Sequence, residues 1–589
     1  MVADWRRLAC ADGLPVATLT EALQAAADTA RGVTFIDERG GEARSTYASL
    51  WSDARRVAAG LRAVGLEAGE RVLVVLPTGP EFVHAFFGVL IAGGVPVPGY
   101  PPAAMERAAL AVERLAHLRG DCGARLLLTD RELRPLLLGL VLRGVARVLA
   151  VEELREADPS AVPALDARST AFIQYTSGST SAPKGVVLTH RAVLSNALAL
   201  GQRVAIRADD VGVSWLPLYH DMGLVTMLLS AVAWQVELVL MGPHVFLLDP
   251  LAWLRAVDRH RGTISVSPTF GFARCLARAR NHPPVDLSSW RAVIASAEPI
   301  DPAVMADFAA RFAPWGLRAE ALGAAYGLAE CTAAVSFSWG DGLRTRTLSR
   351  DALAAGRIVP EADGVSLVEL GAALPGFELR VVDDEDQPLP EGQLGAVQVR
   401  GPSALACYHG QPALTAETVA ADGWVRSGDR GFVVDGALVL CGRDKEILIL
   451  RGRKHDPVDL ERAAEAVAGV RKGGVVVFAV TDPAGADRVV LVAECRAPDA
   501  ALPDALRAAV LDATGVRLDD LVLGPPGLIP KTSSGKRQRL EARRRWLAGT
   551  LVPSDRRWRD LARVAGGSLL GGLVERFTVG ASRRLPPYP

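Results

Sequence analysis

The feature that most constrains the fold of this chain is the regular alternation of helical and strand-like segments over residues 19–440. Residues 45–65 have helical periodicity, and residues 71–76 form an apolar run that predicts a buried strand. Residues 81–92 are again helical in pattern, and residues 95–98 predict a short strand. Because parallel strands need crossover connections, which are usually helices, this rhythm predicts a mainly parallel α/β fold.

The length of the chain predicts more than one domain. At 589 residues it is too long for a single hydrophobic core. A boundary is predicted at residues 442–445, which read Gly-Arg-Asp-Lys. We therefore expect a large α/β domain of several subdomains over residues 1–443 and a smaller α+β domain over residues 444–547. Residues 548–589 remain as a basic tail of unknown role.

The composition argues against several classes of protein. The 66 basic and 66 acidic residues cancel, so no net field would recruit nucleic acid. The seven cysteines are scattered without a C-x-x-C pair, which favours reduced thiols in the cytoplasm over a disulfide scaffold or a zinc site. The apolar residues 222–242 are interrupted by Gln235 and Glu237. This segment therefore predicts a buried helix followed by a strand, and no transmembrane segment is expected.

The strongest motif lies at residues 175–185, which read Tyr-Thr-Ser-Gly-Ser-Thr-Ser-Ala-Pro-Lys-Gly. Glycines let backbone N–H groups converge on a phosphate, hydroxyls add donors, and the lysine adds charge. The run is not a Walker A loop, because Pro183 and Gly185 stand where that motif requires glycine and a hydroxyl residue. A Ser/Thr/Gly run alone is also typical of an ordinary loop. The candidate phosphate-binding residues are Thr176, Ser177, Gly178, Ser179, Thr180 and Lys184.

The motif resembles the phosphate loop of the adenylate-forming (ANL) superfamily, and four further segments resemble that superfamily's pattern in the same order. They lie at residues 325–332, 427–431, 442–445 and 530–536. The resemblance covers roughly residues 15–545 and implies a large adenylation domain with a mobile C-terminal domain. It also implies ATP as the nucleotide, with Mg²⁺.

The resemblance assigns roles residue by residue. Tyr326 and Gly327 would lie against adenine, together with Ala297 and Glu298, and Glu330 would hold Mg²⁺ with support from Thr180. Asp429 would accept hydrogen bonds from the ribose hydroxyls, and Arg443 would assist there. Lys445 would be the hinge. The catalytic candidates implied in this way are Lys536, Lys184, Glu330 and His220.

His220 leaves two interpretations open. An imidazole beside Trp215 and Tyr219 could be an ordinary buried core residue. By resemblance it would lie at the gate between the nucleotide and acyl pockets. Neither interpretation makes it a general base, because a carboxylic acid is already ionised at neutral pH.

Three segments resemble the fatty acyl-AMP ligase branch of the superfamily. Two segments are similar in sequence to the corresponding segments of those ligases: residues 214–224 (Ser-Trp-Leu-Pro-Leu-Tyr-His-Asp-Met-Gly-Leu) and residues 450–455 (Leu-Arg-Gly-Arg-Lys-His). The third segment, at about residues 336–375, resembles the segment that is inserted in those ligases. The resemblance implies a fatty acid as substrate and an acyl carrier protein, through its phosphopantetheine thiol, as acceptor. Three alternatives remain: a fatty acyl-CoA synthetase, an enzyme that adenylates amino or aryl acids, and a catalytically silent adenylate-binding protein.

The C-terminal end of the chain differs in charge from the rest. Residues 543–589 carry ten arginines against three acidic residues, a net charge of +7. Because carrier proteins of this kind are typically acidic, the basic tail is expected to make an electrostatic contact with the carrier. Peripheral contact with a membrane surface is the competing interpretation.

Overall fold

The described structure consists of a large N-terminal domain and a smaller C-terminal region. A computed structural model describes residues 16–102, 108–155, 157–159, 161–176, 184–279, 282–443, 446, 448–450, 453–481, 487–497, 499–531 and 537–551. Most of the buried apolar residues before position 440 form one continuous core. Buried residues from Leu448 to Leu523 form a separate core in the C-terminal region. The α/β architecture expected from the sequence is therefore confirmed.

A nine-stranded sheet forms the centre of the N-terminal domain. Its six middle strands are parallel, and antiparallel strands close both edges. In spatial order the strands are Ala372–Ala373, Ala334–Ser338, Leu322–Gly327, Ala292–Ala295, Ile264–Ser267, Val211–Ser214, Glu237–Met241, Gly32–Ile36 and Glu42–Thr46.

Four smaller sheets complete the N-terminal domain. Val95–Pro98, Arg71–Val74, Leu126–Thr129 and Arg147–Ala150 form a parallel sheet in that order. Cys407–Tyr408, Lys184–Thr189 and Thr170–Thr176 form an antiparallel sheet. Glu378–Val382, Gly395–Arg400, Val425–Val434 and Ala437–Arg443 form a second antiparallel sheet. Thr345–Leu348 and Val365–Val368 pair as a two-stranded sheet inside the predicted insertion.

Helices cover these sheets. The α-helices of the N-terminal domain are Leu19–Ala27, Tyr47–Ala63, Pro80–Ala92, Ala108–Cys122, Arg134–Leu137, Val151–Leu154, His190–Arg203, Asp221–Gly223, Ser230–Trp234, Pro243–Leu248, Leu251–His260, Thr269–Arg278, Pro302–Phe312, Arg350–Ala354 and Pro412–Thr418. The 3₁₀ segments are Leu138–Arg143, Ala313–Trp315, Ala319–Ala321 and Ala329–Cys331, and Leu224–Leu229 is a π-helix.

The C-terminal region combines a hairpin, a three-stranded sheet and three helices. The hairpin strands are Leu448–Leu450 and Arg453–His455. The sheet contains Val470–Thr481, Asp487–Cys495 and Asp520–Gly524. The helices are Pro457–Glu465, Leu502–Thr514 and Arg539–Leu547.

Local sequence explains where the predicted helices begin and end. The helix expected over residues 45–65 is Tyr47–Ala63, and it begins where the Thr46 hydroxyl accepts a hydrogen bond from the Ser49 N–H (3.1 Å). The helix Pro80–Ala92 ends at Gly93, whose φ of 89° is the left-handed conformation that glycine adopts without a Cβ clash. Almost all of this helix is buried, which fits its apolar composition on every side.

Residues 222–242 confirm the prediction of a buried helix followed by a strand. The helical part runs to Trp234 and the strand is Glu237–Met241. Within the described ranges, no helix combines the length and the apolar character needed to cross a bilayer. The sequence did not predict the π-helical turn Leu224–Leu229, a conformation that is often found at functional sites.

Candidate functional site

A cavity of about 570 Å³ lies between the N-terminal domain and the C-terminal region. One part of its wall is polar and includes Thr176, Lys184 and Glu330. Another part is apolar and lies between the helix His190–Arg203 and the helical segment that follows His220. The cavity therefore combines groups suited to a nucleotide with a compartment suited to an apolar chain.

The two ends of the predicted phosphate loop meet in the cavity wall. Thr176 ends one strand, Lys184 begins the antiparallel strand beside it, and the two residues are paired in register. Ser177, Gly178, Ser179 and Thr180 lie outside the described residues. The Lys184 ammonium lies 5.5 Å from the centre of the Tyr408 ring, a cation–π distance. The loop therefore connects two adjacent strands that both reach the cavity.

Tyr408 also binds Glu330, and the sequence analysis did not predict this residue. Its hydroxyl donates a hydrogen bond to Glu330 Oε1 (2.6 Å), and burial together with that carboxylate raises the pKa of the Tyr408 hydroxyl. Tyr408 lies on the strand Cys407–Tyr408, beside Lys184–Thr189 in the sheet. It therefore orients the lysine and the carboxylate predicted for the phosphates and the metal.

Asp429 is the centre of a hydrogen-bonded group. Its Oδ2 accepts from the Tyr326 hydroxyl (2.5 Å) and its Oδ1 accepts from Arg443 Nε (2.9 Å). Asp429 and Arg443 are partners on neighbouring strands. The Asp429 charge raises the pKa of the Arg443 guanidinium, and burial together with the same charge raises the pKa of the Tyr326 hydroxyl.

The members of this group differ in their access to the cavity. Arg443 lines the cavity together with Ser427 and Gly428, whereas Tyr326 and Asp429 are buried behind them, at 7% and 4% exposure. Gly327, the neighbour of Tyr326, also lines the cavity. The structure thus brings together the residues predicted for adenine and ribose, with the carboxylate held by two donors. Each carboxylate oxygen keeps a further lone pair for a ligand hydroxyl.

Ala297 and Glu298 point to different surroundings. Ala297 lines the cavity with a φ of 74°, a conformation that is uncommon for a residue with a side chain and is often found at functional sites. Glu298 Oε1 accepts a hydrogen bond from the Phe270 N–H (2.9 Å) in the first turn of the helix Thr269–Arg278. This contact gives Glu298 a structural role at a helix N-terminus. Unlike Ala297, Glu298 is not among the described residues that line the cavity, so its place near adenine stays a prediction.

His220 lies at the border between the polar and apolar parts of the cavity. Its Nδ1 is 2.6 Å from Asp221 Oδ1, and the Met222 N–H also donates to that oxygen at 2.6 Å. The Met222 N–H is 3.3 Å from His220 Nδ1, so the carboxylate is its better acceptor. Asp221 therefore orients the imidazole at the place where the sequence predicted a gate.

The apolar compartment of the cavity, called the acyl arm below, offers few polar groups to a ligand. Thr226 and Ser230 line it, but the Thr226 hydroxyl donates to the Met222 carbonyl and the Ser230 hydroxyl donates to the Val225 carbonyl (2.9 Å). Both hydroxyl protons are thus used within the helical segment itself. The remaining lining residues of the arm include Leu200, Gly201, Val204, Ile264, Val266 and Phe337.

The C-terminal region contributes charged residues to the cavity wall. Arg537 and Arg539 both line the cavity, as does Glu446. Arg537 is held by Glu465 (2.9 Å), whereas Arg539 binds Glu461 (2.8 Å) and Glu446. The hinge candidate Lys445 and the catalytic candidate Lys536 lie outside the described residues. The sequence analysis did not predict either arginine, although both follow Lys536 within three positions.

Comparisons with known proteins find similar sequences over most of this chain. The family model described as "AMP-binding enzyme" matches residues 23–409. A protein of Caulobacter vibrioides named "Putative acyl-CoA synthetase" is 35% identical over 550 residues, covering 90% of this chain and 96% of the relative. The medium-chain-fatty-acid–[acyl-carrier-protein] ligase JamA of Moorena producens is 33% identical over 545 residues, covering 86% of this chain and 90% of the relative.

Solved structures include a similar fold. A structure from studies of the fatty acyl-adenylate ligases of E. coli and L. pneumophila superposes with a TM-score of 0.86 at 32% sequence identity. The match covers 92% of this chain and 99% of the other. The likeness therefore extends over nearly the whole fold of this chain.

Proposed function

The chain belongs to the AMP-binding enzyme family, and from this premise we propose that it activates a fatty acid as its acyl-AMP and then transfers the acyl group to the thiol of a carrier protein. The observation that carries the proposal is the single cavity in which Lys184, Glu330 and Arg443 line one part and the acyl arm forms the other. A fatty acid carboxylate at the border near His220 would meet the nucleotide there. The names of JamA and of the acyl-adenylate ligase structures support the same chemistry.

In the first half-reaction, a carboxylate oxygen attacks the α-phosphorus of ATP. One oxygen–phosphorus bond forms and the bond to the leaving pyrophosphate breaks. Two anions must approach each other, so catalysis depends on positioning and on fixed positive charge. Lys184 and the phosphate loop would bind the leaving pyrophosphate, and Asp429 with Arg443 would bind the ribose. No general base is required, because the acid is already ionised.

The residues present fit a magnesium ion bound largely by the nucleotide. Mg²⁺ typically takes one or two carboxylates together with substrate phosphates. Among the described residues, no group of three acidic, histidine or cysteine side chains could form a protein-only metal site. Glu330 lines the cavity, and one of its oxygens is oriented by Tyr408. Glu330 would therefore hold the ion, with Thr180 as the proposed support, and the ion would offset phosphate charge.

Lys536 is proposed as the charge that acts on the carboxylate and the α-phosphate. Its chain neighbour Arg537 lines the cavity. The C-terminal region would deliver Lys536 for adenylation and then rotate about Lys445 to admit the acceptor thiol. An ammonium on a flexible stem suits this role better than a planar guanidinium.

The acceptor is proposed to be a carrier protein because the insertion contacts the C-terminal region. In its hairpin, Arg346 binds Glu369 and Asp435 of the N-terminal domain (2.7 and 2.6 Å). Arg350, in the helix between the hairpin strands, lies 3.6 Å from Asp459 of the C-terminal region. A contact of this kind would restrict rotation, and a carrier could compensate with protein–protein contacts that free coenzyme A lacks.

An acyl-CoA synthetase is the second candidate, and the name of the Caulobacter vibrioides relative favours it. Purified protein should be incubated with ATP and a panel of fatty, amino and aryl acids, and acyl-AMP, acyl-CoA and acyl-carrier products should be quantified. We expect acyl-AMP from fatty acids, transfer to the carrier, and little acyl-CoA. Rapid acyl-CoA formation would refute the carrier assignment, and the absence of acyl-AMP from every acid would refute the adenylation itself.

Two variants test the role of the insertion. Arg350→Ala removes an exposed ion pair between the N-terminal domain and the C-terminal region. Because that pair would restrict rotation, its loss should raise acyl-CoA synthesis by up to about fivefold. Shortening residues 349–361 should raise it further, with acyl-AMP formation preserved. Arg346→Ala is the matched control, because its ion pairs stay within the N-terminal domain. An equal rise for Arg346→Ala would show that general loosening of the insertion, rather than the contact with Asp459, controls the acceptor.

A further inference from the structure

A second apolar feature of the protein lies outside the cavity, in the connection between the last two strands of the four-stranded parallel sheet. The connection contains a helical turn, Arg134–Leu137, and the 3₁₀ segment Leu138–Arg143. In a 3₁₀ helix the side chains of residues three apart lie on the same side. Leu137 and Leu140 form the inner row, and both are fully buried in the core beside this sheet. The inner row therefore attaches the connection to the sheet.

The outer side of the same connection is also apolar. Leu136, Leu138 and Val141 are 37%, 48% and 42% exposed, and the last two are again three residues apart. Among the described residues, eight large apolar side chains are exposed, and three of them lie within these six positions. None of the three lines the cavity. Single exposed apolar side chains are common, but a cluster of them indicates a contact surface. We call these three residues the apolar patch.

Positive charge flanks the apolar patch along the chain. Residues 131–147 carry a net charge of +3, because one glutamate stands against four arginines: Arg131, Arg134, Arg143 and Arg147. Arg134 is paired with Glu153 (2.7 Å), whereas Arg143 and Arg147, which follow the patch, are exposed. The surface therefore combines apolar side chains with cationic groups at its edge.

We propose that the apolar patch inserts into the surface of an anionic phospholipid bilayer, with Arg143 and Arg147 against the lipid phosphates. A bilayer surface presents this combination, because its apolar chains begin directly beneath charged headgroups. The contact is peripheral, since no helix of the described ranges could cross a bilayer. It goes beyond the proposed function and does not depend on it, although it would bring the enzyme to the phase in which fatty acids concentrate.

The size and the charge of the surface favour lipid over a protein partner. A stable protein interface buries about 800 Å² on each partner, far more than three half-exposed side chains can supply. A second copy of this chain is disfavoured for another reason. A two-fold contact sets the same surface against itself, so the exposed Arg143 and Arg147 of both copies would come together and repel each other.

The test is sedimentation of the full-length protein with vesicles of phosphatidylcholine and phosphatidylglycerol. Leu138→Glu combined with Val141→Glu should weaken binding at least about tenfold, because two apolar contacts are lost and two negative charges face the lipid. Arg143→Gln combined with Arg147→Gln should weaken binding about 10- to 30-fold on these vesicles and leave binding to pure phosphatidylcholine unchanged.

Leu511→Glu is the matched control, because Leu511 is a similarly exposed leucine (47%) on the helix Leu502–Thr514 of the C-terminal region. Its vesicle binding should equal that of the wild type. All the substituted side chains are exposed, so melting temperatures should stay close to that of the wild type.

Three outcomes would overturn the inference. The first is a full-length protein that does not pellet with the anionic vesicles. The second is binding that both double variants retain and that deletion of residues 552–589 abolishes, because the basic tail would then make the contact. The third is a changed mass in light scattering without lipid, or slower transfer to the carrier, for a patch variant that still binds vesicles normally, because the patch would then contact a protein. Vesicle binding is measured without the reaction, so a failure of acyl-AMP formation counts against the proposed function alone.

Discussion

Asp429→Asn should weaken ATP binding while leaving the chemical step nearly unchanged. The carboxylate accepts hydrogen bonds from Tyr326 (2.5 Å) and Arg443 (2.9 Å) and is only 4% exposed. An amide keeps one acceptor oxygen and presents a donor in place of the other, so a ribose hydroxyl loses a charged acceptor. A hydrogen bond to a charged group contributes about 1.5–3 kcal/mol, which corresponds to a rise of about 10- to 150-fold in the KM for ATP.

This experiment is informative because it distinguishes an effect on KM from an effect on kcat. The ribose contact is made equally before and during the attack on phosphorus, so its loss raises KM and spares kcat. Initial rates of acyl-AMP formation should be measured across ATP concentrations, together with the shift in melting temperature on adding AMP. Asp435→Asn is the matched control, because Asp435 is exposed, pairs with Arg346 and is not among the residues that line the cavity. A KM for Asp429→Asn within about threefold of wild type would refute the ribose assignment.

Three further predictions follow from the charges around the hinge and the C-terminal end. Lys536→Ala should lower the rate of acyl-AMP formation at least about a hundredfold with ATP affinity nearly unchanged, and Lys536→Arg should not restore it; stopped-flow rates within about threefold of wild type would contradict the assignment. Deleting residues 552–589, which spares the buried Leu551, should preserve acyl-AMP formation and slow transfer to the carrier, with a weaker salt dependence of that transfer. If the full-length protein pellets with vesicles and the deletion variant does not, while the variant still transfers the acyl group to the carrier at the normal rate, the tail would contact a membrane surface instead. Burial and the neighbouring Asp459 raise the pKa of Asp456 from its ordinary 3.8 to about 7, so the folded protein retains a proton that the unfolded chain loses. The contribution of Asp456 to stability should therefore be fully present below about pH 4 and be lost as the pH rises to about 7. Asp456→Asn keeps the cap of the helix Pro457–Glu465 and should flatten this change in melting temperature; an unchanged slope would contradict the raised pKa.

Much of the fold could be predicted because the decisive patterns are local. The apolar runs at residues 71–76 and 95–98 became the parallel strands Arg71–Val74 and Val95–Pro98. The helices Tyr47–Ala63 and Pro80–Ala92 begin and end at a capping residue and a glycine that are visible in the sequence. The π-helical turn Leu224–Leu229 could not be predicted, because apolar periodicity does not distinguish it from an ordinary helix. The predicted insertion begins at Ser336, inside a strand of the central sheet, and its independent part is the later hairpin.

Some residues of the candidate site could likewise be predicted from the sequence, and others could not. Thr176, Lys184, Glu330 and Arg443 stand in recognisable motifs, and the structure places all four in one cavity wall. Tyr408 has no motif of its own and is found only through its contacts with Lys184 and Glu330. The placement of Ser177, Gly178, Ser179, Thr180, Lys445 and Lys536 in the site stays a prediction.

The sequence by itself determined which functional groups this chain offers for the proposed binding of phosphate, ribose and metal, because these groups occur in short contiguous runs. Only the tertiary structure decided how those groups are oriented and where the acyl arm lies. Tyr408 and Glu330 are 78 residues apart in the chain, and Trp234 and Ala197 are 37 apart. Contacts over such separations arise from the packing of whole helices and sheets. The position of the acyl arm is therefore a property of two helical segments packed against each other, which no local pattern in either segment contains.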